Sequence, residues 1–143
     1  MRIIHCADLH LGSKIEAKLP PEKAEIRRKE VRAAFENMLK FASDNGVSAV
    51  IIAGDAFDSD RPSLHDKRTF YEAAARYPQI TFFYLRGNHD SKNGDDGENL
   101  PNLKTFGGDW TTYTLRGRGA NGAEEIVTVT GAELGGENAA RLY

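Results

Sequence analysis

The stretch "AVIIAGDAFD", residues 49–58, determines how the chain around it can fold. Its leading residues, "AVIIA", are apolar without polar alternation, which predicts a strand buried on both faces, as in a parallel sheet. Gly54 ends that run, and the carboxylates Asp55 and Asp58 follow it. In open α/β sheets ligands bind beyond the carboxyl ends of the strands, so these two residues lie where a site is expected.

Elements of alternating type flank this strand. Residues 1–7 and 80–85 are mostly apolar and predict two further buried strands. Residues 22–44 and 64–76 predict helices, and Ser63 is in position to cap the second one. The order strand, helix, strand, helix, strand predicts a parallel α/β sheet with right-handed crossovers. The apolar stripe of the first helix is expected to consist of Val31, Ala34, Phe35, Met38 and Ala42.

The pattern changes in the last third of the chain. Residues 109–115 and 125–130 predict two antiparallel strands joined by a long Gly-rich turn, and residues 137–143 predict the start of a helix. The chain has 143 residues and a hydrophobic content of 40%, which suit a single domain with one core.

Composition places few limits on function. The formal charge of −2 neither predicts nor excludes a polyanionic partner. The single cysteine, Cys6, cannot form an internal disulfide, and the sequence shows neither a signal peptide nor an apolar run of membrane-spanning length. We therefore expect a cytoplasmic protein with no membrane partner.

Polar side chains follow each of the three predicted strands, and a parallel sheet would bring these three loops to one edge. Carboxylates crowded at that edge would resist ionisation unless cations offset their charge. Metal ions are the simplest explanation, and carboxylate, imidazole and amide ligands without a thiolate suit Mn, Fe or Zn. The clustered residues are Asp8 and His10 after the first strand, Asp55 and Asp58 after the second, and Asn88, His89 and Asp90 after the third.

Such a group of residues can support phosphoryl chemistry. One Asp can bridge two ions, and two ions roughly 3.5–4 Å apart can polarise a phosphoryl group and generate a hydroxide nucleophile. His89 could then protonate the leaving oxygen, with Asp58 orienting its ring. Asp90 is expected to brace its loop by accepting amide hydrogens. The competing interpretation of each residue taken alone is a polar turn.

The segments "DLH" (residues 8–10), "GDAFD" (54–58) and "GNHD" (87–90) resemble, in order and at strand ends, the first three motifs of the calcineurin-like metallophosphoesterase superfamily. The resemblance implies the first half of a layered α/β/β/α sandwich: strand, helix, strand, helix, strand and an antiparallel hairpin. It also implies two divalent metal ions, Mn in the first place, with Fe and Zn as alternatives. The implied roles are Asp8 and His10 as ligands of the first ion, Asp55 as the bridge, Asn88 as a ligand of the second ion, and His89 beside the leaving group.

The stretches "MRIIHCADLHLG" (residues 1–12) and "GDAFDSDRPS" (54–63) are further similar to the DNA-repair nuclease branch of the SbcD type. This similarity implies a DNA exonuclease or endonuclease, a coiled-coil ATPase partner of the SbcC type, and a homodimer. Two alternatives stay open. One is a general phosphomonoesterase or nucleotide phosphodiesterase of the same superfamily. The other, of a different class, is a catalytically incomplete fragment or binding module that holds one weakly bound metal.

The sequence departs from the superfamily pattern in its histidines. The pattern continues with a later His and a Gly-His-x-His segment, whereas this chain has His only at positions 5, 10, 65 and 89. We therefore expect residues 1–143 to be the N-terminal part of a single metallophosphoesterase domain, with little or no activity alone. An apolar sheet face or edge should then be uncovered. Elsewhere, His5 is expected in the core, His65 in solvent, and Arg86 in a surface ion pair.

Overall fold

The structure is a computed structural model, and it describes residues 1–13, 19–58, 62–87, 90, 100–119 and 121–133. The structural statements below refer to these residues. They form two helices, α1 (Pro21–Asp44) and α2 (Leu64–Arg76). The strands are β1 (Ile3–Cys6), β2 (Ala49–Ala53), β3 (Thr81–Leu85), β4 (Leu103–Thr105), β5 (Thr111–Arg118) and β6 (Glu124–Gly131).

Four parallel strands form the central sheet in the order β1-β2-β3-β4, which confirms the predicted parallel α/β arrangement. Val50 of β2 pairs with Ile4 on one side and with Phe82 on the other. The sequence did not predict β4, which has three residues and, among the described strands, pairs with β3 alone. A strand this short carries no periodicity of its own, so its pairing with β3 defines it.

The two faces of the sheet are covered by different elements. The helices cover one face, where Val50, Ile52 and Tyr84 of the sheet share a buried cluster with Phe35 and Phe70. The rings of Phe35 and Phe70 stack with their centroids 5.9 Å apart. The β5–β6 hairpin covers part of the other face, so the layers run helices, sheet, hairpin, as the predicted metallophosphoesterase-like sandwich requires. The residues that pack there are Ala49, Ile51, Phe83, Leu85, Phe106, Tyr113, Leu115 and Val129.

Helix α1 buries a slightly different stripe from the predicted one. Leu39 is fully buried together with Phe35 and Ala42, whereas Ala34 is exposed. The spacing of residues 35, 39 and 42 keeps one face of a 3.6-residue helix towards the sheet, and position 34 turns away from it. Helix α2 begins as predicted, because the backbone N–H of Asp66 donates to the Ser63 hydroxyl at 3.2 Å.

The prediction that the first strand is buried on both faces was wrong. Strand β1 stands at the edge of the sheet, Ile3 is 36% exposed and His5 is also exposed rather than in the core. The hairpin packs on residues of β2 and β3, which leaves the same face of β1 open in the described part of the chain. This agrees with the expected uncovered edge, and His65 is exposed as predicted.

The hairpin itself is longer than predicted. Strand β5 continues to Arg118 and β6 begins at Glu124, so residues 116–118, which the sequence assigned to the turn, pair with residues 124–126. The Arg116 guanidinium lies 3.3 Å from the Glu124 carboxylate across the pair. No helix in the described part of the chain is long and apolar enough to cross a membrane. The predicted helix at residues 137–143 lies outside the described residues.

Candidate metal centre

The loops that follow β1 and β2 run side by side at the carboxyl edge of the sheet. The N–H groups of Asp8, His10 and Leu11 donate to the carbonyl oxygens of residues 54, 55 and 56 at 3.2, 3.1 and 2.9 Å. The second loop is in turn tied to the end of β3, because the Gly54 N–H donates to the Leu85 carbonyl at 2.8 Å. Main-chain hydrogen bonds therefore set the relative position of the loops that carry the predicted ligands.

The side chains of Asp8, His10 and Asp55 converge at this edge. One potential ligand atom from each lies within 4.8 Å of the other two. A divalent ion with bonds of roughly 2.0–2.4 Å has opposite ligands about 4–5 Å apart, so these three residues can share one ion with small adjustments. Two carboxylates and an imidazole are also a donor set that Mn, Fe and Zn accept. Asp8 is exposed, and the other two residues are half-buried.

The same three residues have an uncommon backbone conformation. The φ angles of Asp8, His10 and Asp55 are +54°, +47° and +43°, and they are the non-glycine residues with positive φ in the described part of the chain. Left-handed geometry costs an L-residue roughly 1–2 kcal/mol, although Asp and His tolerate it better than most. Strain of this kind persists where the surrounding structure enforces it, often at functional sites. Here the hydrogen bonds between the loops enforce it.

Gly87, at the end of β3, packs directly against Asp55. A Cβ atom on Gly87 would lie 2.8 Å from the Asp55 carboxyl carbon, closer than van der Waals contact allows. Only glycine therefore lets the third strand-end loop approach the second this closely. The approach brings the backbone that leads into residues 88 and 89 beside the cluster.

Asp90 braces the third loop, as predicted. Its carboxylate accepts hydrogen bonds from the backbone N–H groups of Phe57 and Gly87 at 2.9 Å each, and from that of Ala56 at 3.2 Å. Asp90 is 5% exposed, and the hydroxyl of buried Tyr84 also hydrogen-bonds to it. Burial raises the pKa of Tyr84 far above its ordinary value, and the negative charge of Asp90 adds to the shift.

The structure gives Asp58 a different described partner from the predicted one. Its Oδ1 lies 2.9 Å from Nδ1 of His10, and its Oδ2 accepts a hydrogen bond from the Ser13 hydroxyl at 3.0 Å. Asn88 and His89 lie outside the described residues, so their roles and the orientation of His89 by Asp58 stay predictions. Sequence reasoning missed Ser13, and a hydroxyl three residues after a candidate ligand is too common a pattern to identify it.

Arg86 forms an ion pair, as expected, rather than a free phosphate-binding cation. Its Nε lies 2.6 Å from Oε1 of Glu133, and its Nη2 donates to the Phe106 carbonyl at 3.4 Å. Glu133 is 5% exposed, so this pair is more buried than the surface pair that the sequence predicted. The ion pair connects Arg86, which directly follows β3, to the segment that follows β6.

Comparisons with known proteins agree with this geometry. The calcineurin-like phosphoesterase family matches residues 1–139. The DNA double-strand break repair protein Mre11 of Methanosarcina mazei is 40% identical over 94 residues, which are 64% of this chain and 14% of that protein. The SbcD component of the nuclease SbcCD is 36% identical in Escherichia coli and 30% identical in Bacillus subtilis, over 64% of this chain and 22% of each relative. The chain thus spans less than a quarter of the length of these relatives, and it belongs to the calcineurin-like phosphoesterase family.

Proposed function

We propose that this chain contributes the metal centre of a phosphodiesterase that hydrolyses DNA in double-strand break repair. The observation that carries the proposal is the convergence of Asp8, His10 and Asp55 within 4.8 Å at the carboxyl edge of the sheet. Their position in a phosphoesterase family, and the names of the relatives as a DNA repair protein and a nuclease, support the choice of reaction and substrate.

In this proposal each residue has one role. Asp8 and His10 would hold a first divalent ion, and Asp55 would be shared between the first and a second ion because a carboxylate has several lone pairs. Asn88 would be the further ligand of the second ion. The oxygen and nitrogen donors favour Mn, with Fe and Zn as alternatives. The close packing of Gly87 on Asp55 supports the role of Asn88, because it brings the chain before residue 88 against the bridging carboxylate.

The bound ions would supply positive charge to the phosphoryl oxygens and make water a stronger nucleophile at neutral pH. The residues of the chain do the remaining work. Asp8 and Asp55 would hold the cations in place, and the positive charge that remains on the ions would favour an anionic ester. His89 gives its proton to the leaving oxygen, which would otherwise depart as an unstable alkoxide. Asp90 holds the loop of His89 in place through the backbone of residues 56, 57 and 87.

The partners are proposals of the same kind. The name of the SbcCD relatives marks them as parts of a larger nuclease, which supports a coiled-coil ATPase of the SbcC type as the partner of this chain. A homodimer and a cytoplasmic location stay predictions. Co-purification with the ATPase and the mass of the complex in solution would test the assembly.

The proposal is tested with the complete natural protein, Mn²⁺, linear double-stranded DNA and a mononucleotide monoester. DNA hydrolysis should depend on Mn²⁺, and Asp55→Asn should lower its rate by at least about 100-fold, because outer-shell changes alone cost 10–100-fold. Asp44→Asn is the matched control, since Asp44 is an exposed carboxylate that pairs with Lys40 at the end of α1. An Asp55→Asn variant as active as the parent would refute the assignment. Faster turnover of the monoester than of DNA would identify a phosphomonoesterase, and a single weak Mn²⁺ site without turnover would favour a binding module.

A further inference from the structure

We propose that Asp66 of α2 is a positioning residue for the loop that carries Asp8 and His10, because its buried carboxylate supports that loop at Gly12. The inference rests on the proposed function, since that function makes the loop a holder of metal ligands. It gives a role to a buried charge that lies outside the cluster of ligands.

Asp66 is a charged residue in a place where charge is usually avoided. It is 7% exposed, and charged side chains are rarely buried unless they are paired. Arg32 of α1 supplies the opposite charge, with its Nη1 3.6 Å from Asp66 Oδ1. The Ser63 hydroxyl, at the start of α2, donates to the other carboxylate oxygen. The carboxylate is therefore held by α1 and by the N-terminal turn of α2.

The loop after β1 packs directly on this carboxylate at Gly12. A Cβ atom on Gly12 would lie 2.5 Å from the Asp66 carboxyl carbon, closer than van der Waals contact allows. Gly12 also has a φ angle of +80°, which glycine adopts without strain. The Ser13 N–H donates to the His10 carbonyl at 3.1 Å, so Gly12 lies inside a turn that begins at a proposed ligand.

This contact holds the loop from a second side. On the first side, the Leu11 N–H donates to the Ala56 carbonyl at 2.9 Å, and Leu11 itself is 1% exposed. Glycine has more backbone freedom than any other residue, so an unsupported Gly12 would let residues 10–13 take up other conformations. Asp66 occupies the space beside Gly12 and thereby limits the direction in which the loop can move.

Support of this loop matters for the ligands because their backbone is strained. The φ angles of Asp8 and His10 are +54° and +47°, and such conformations persist only where the surrounding structure enforces them. If the turn at Gly12 relaxed, His10 could return to a more favourable φ angle, and its ring would move away from Asp55. Asp66 thus helps to keep the loop in the conformation in which the three ligands converge.

Amide hydrogen exchange, resolved by residue in the complete natural protein without metal, tests the support itself. In Asp66→Ala the amides of Leu11 and Ser13 should exchange at least about 10-fold faster than in the parent, because exchange reports local opening. The amide of Phe82, which donates to the Asn102 carbonyl at 2.7 Å in the sheet, should accelerate clearly less. Unchanged exchange in the loop, or equal acceleration in the loop and the sheet, would overturn the proposal.

Two further variants make this measurement specific to Asp66. Asp66→Asn keeps the size of the side chain and so its contact with Gly12, and it should accelerate loop exchange less than Asp66→Ala but above the parent. Glu72→Ala removes an exposed carboxylate from the same helix and should leave loop exchange unchanged. Equal acceleration in Glu72→Ala would assign the effect to α2 as a whole and refute the role of Asp66.

Mn²⁺ affinity, measured by calorimetry, tests the consequence for the centre. Gly12→Ala should weaken binding in the parent, because the added Cβ meets the Asp66 carboxylate and displaces the loop. In an Asp66→Ala background that obstacle is gone, so the fold-loss from Gly12→Ala should be at least about 5 times smaller, as expected for residues in contact. Independent effects of the two changes would contradict the proposal. If the parent binds no Mn²⁺, the proposed function fails, while the exchange rates of Leu11 and Ser13 still decide the role of Asp66.

Discussion

Replacing Asp90 by Ala should destabilise the fold more than the loss of an ordinary surface carboxylate. The side chain is 5% exposed and accepts hydrogen bonds from three backbone N–H groups, those of Ala56, Phe57 and Gly87. Two of these donors belong to buried residues, with Ala56 at 0% and Phe57 at 3% exposure. Alanine would leave these donors without an acceptor in a place that water does not easily reach.

The magnitude follows from these contacts. A hydrogen bond to a charged group is worth roughly 1.5–3 kcal/mol, and a buried donor left unpaired costs about 1–3 kcal/mol. The Gly87 N–H is partly exposed, so water can replace its bond at little cost. We therefore expect Asp90→Ala to lower the free energy of unfolding by about 3–5 kcal/mol. Asp90→Asn keeps one acceptor oxygen and should lose about half of that amount.

Urea unfolding followed by circular dichroism measures the effect. Asp109→Ala is the matched control, because Asp109 is an exposed carboxylate and its change should stay within about 0.5 kcal/mol. A loss of less than about 1 kcal/mol in Asp90→Ala would show that the three amide contacts do not hold the loop, because even one such bond is worth more.

Three further predictions concern the site and its support. Gly87→Ala should lower the free energy of unfolding in urea by about 2–4 kcal/mol, because the added Cβ would clash with Asp55. Gly107→Ala is the control, since a Cβ there meets open space and should change the free energy little. Equal stabilities of the two variants would contradict this reasoning. Asp8→Gly should be more stable than Asp8→Ala by about 1 kcal/mol in the same measurement, because φ at position 8 is +54° and glycine adopts this conformation without strain. Equal stabilities of these two variants would show that the backbone at position 8 is not strained. Burial raises the pKa of Tyr84, so the folded state keeps a proton that the unfolded state releases above about pH 10. The contribution of Tyr84 to stability should be constant below that pH and fall above it by up to roughly 1.4 kcal/mol per pH unit. Unfolding at pH 9 to 11 would show this decline, and Tyr84→Phe should reduce it; an unchanged slope would refute the assignment.

The sequence predicted the elements that carry a strong local pattern. The apolar runs around Val50 and Phe82 and the alternation of strands with helices were sufficient for the parallel sheet. The same logic placed Asp8, His10 and Asp55 at one edge, because the carboxyl ends of parallel strands meet there. It also predicted the role of Asp90, which accepts amide hydrogens and so fixes its loop.

Other features depend on contacts between distant parts of the chain. His5 was expected in the core because an apolar strand is usually covered on both faces, yet β1 stands at the sheet edge and the hairpin packs elsewhere. Strand β4 is defined by its pairing with β3 rather than by its own residues. The contact of Asp58 with His10 depends on the left-handed backbone at residues 8, 10 and 55, which side-chain types alone do not specify.

The hydrogen bonds between the first two loops also bear on how the site can change. They join main-chain atoms, from the N–H of residues 8, 10 and 11 to the carbonyls of residues 54 to 56. A substitution at Asp8 or His10 alters a donor atom but leaves these bonds available. The relative position of the two loops therefore does not depend on the ligand side chains. Exchanging an oxygen donor for a nitrogen donor could then change the preferred metal without changing the fold. In the proposed centre the side chains would determine which ion is preferred, and the backbone would determine where it binds.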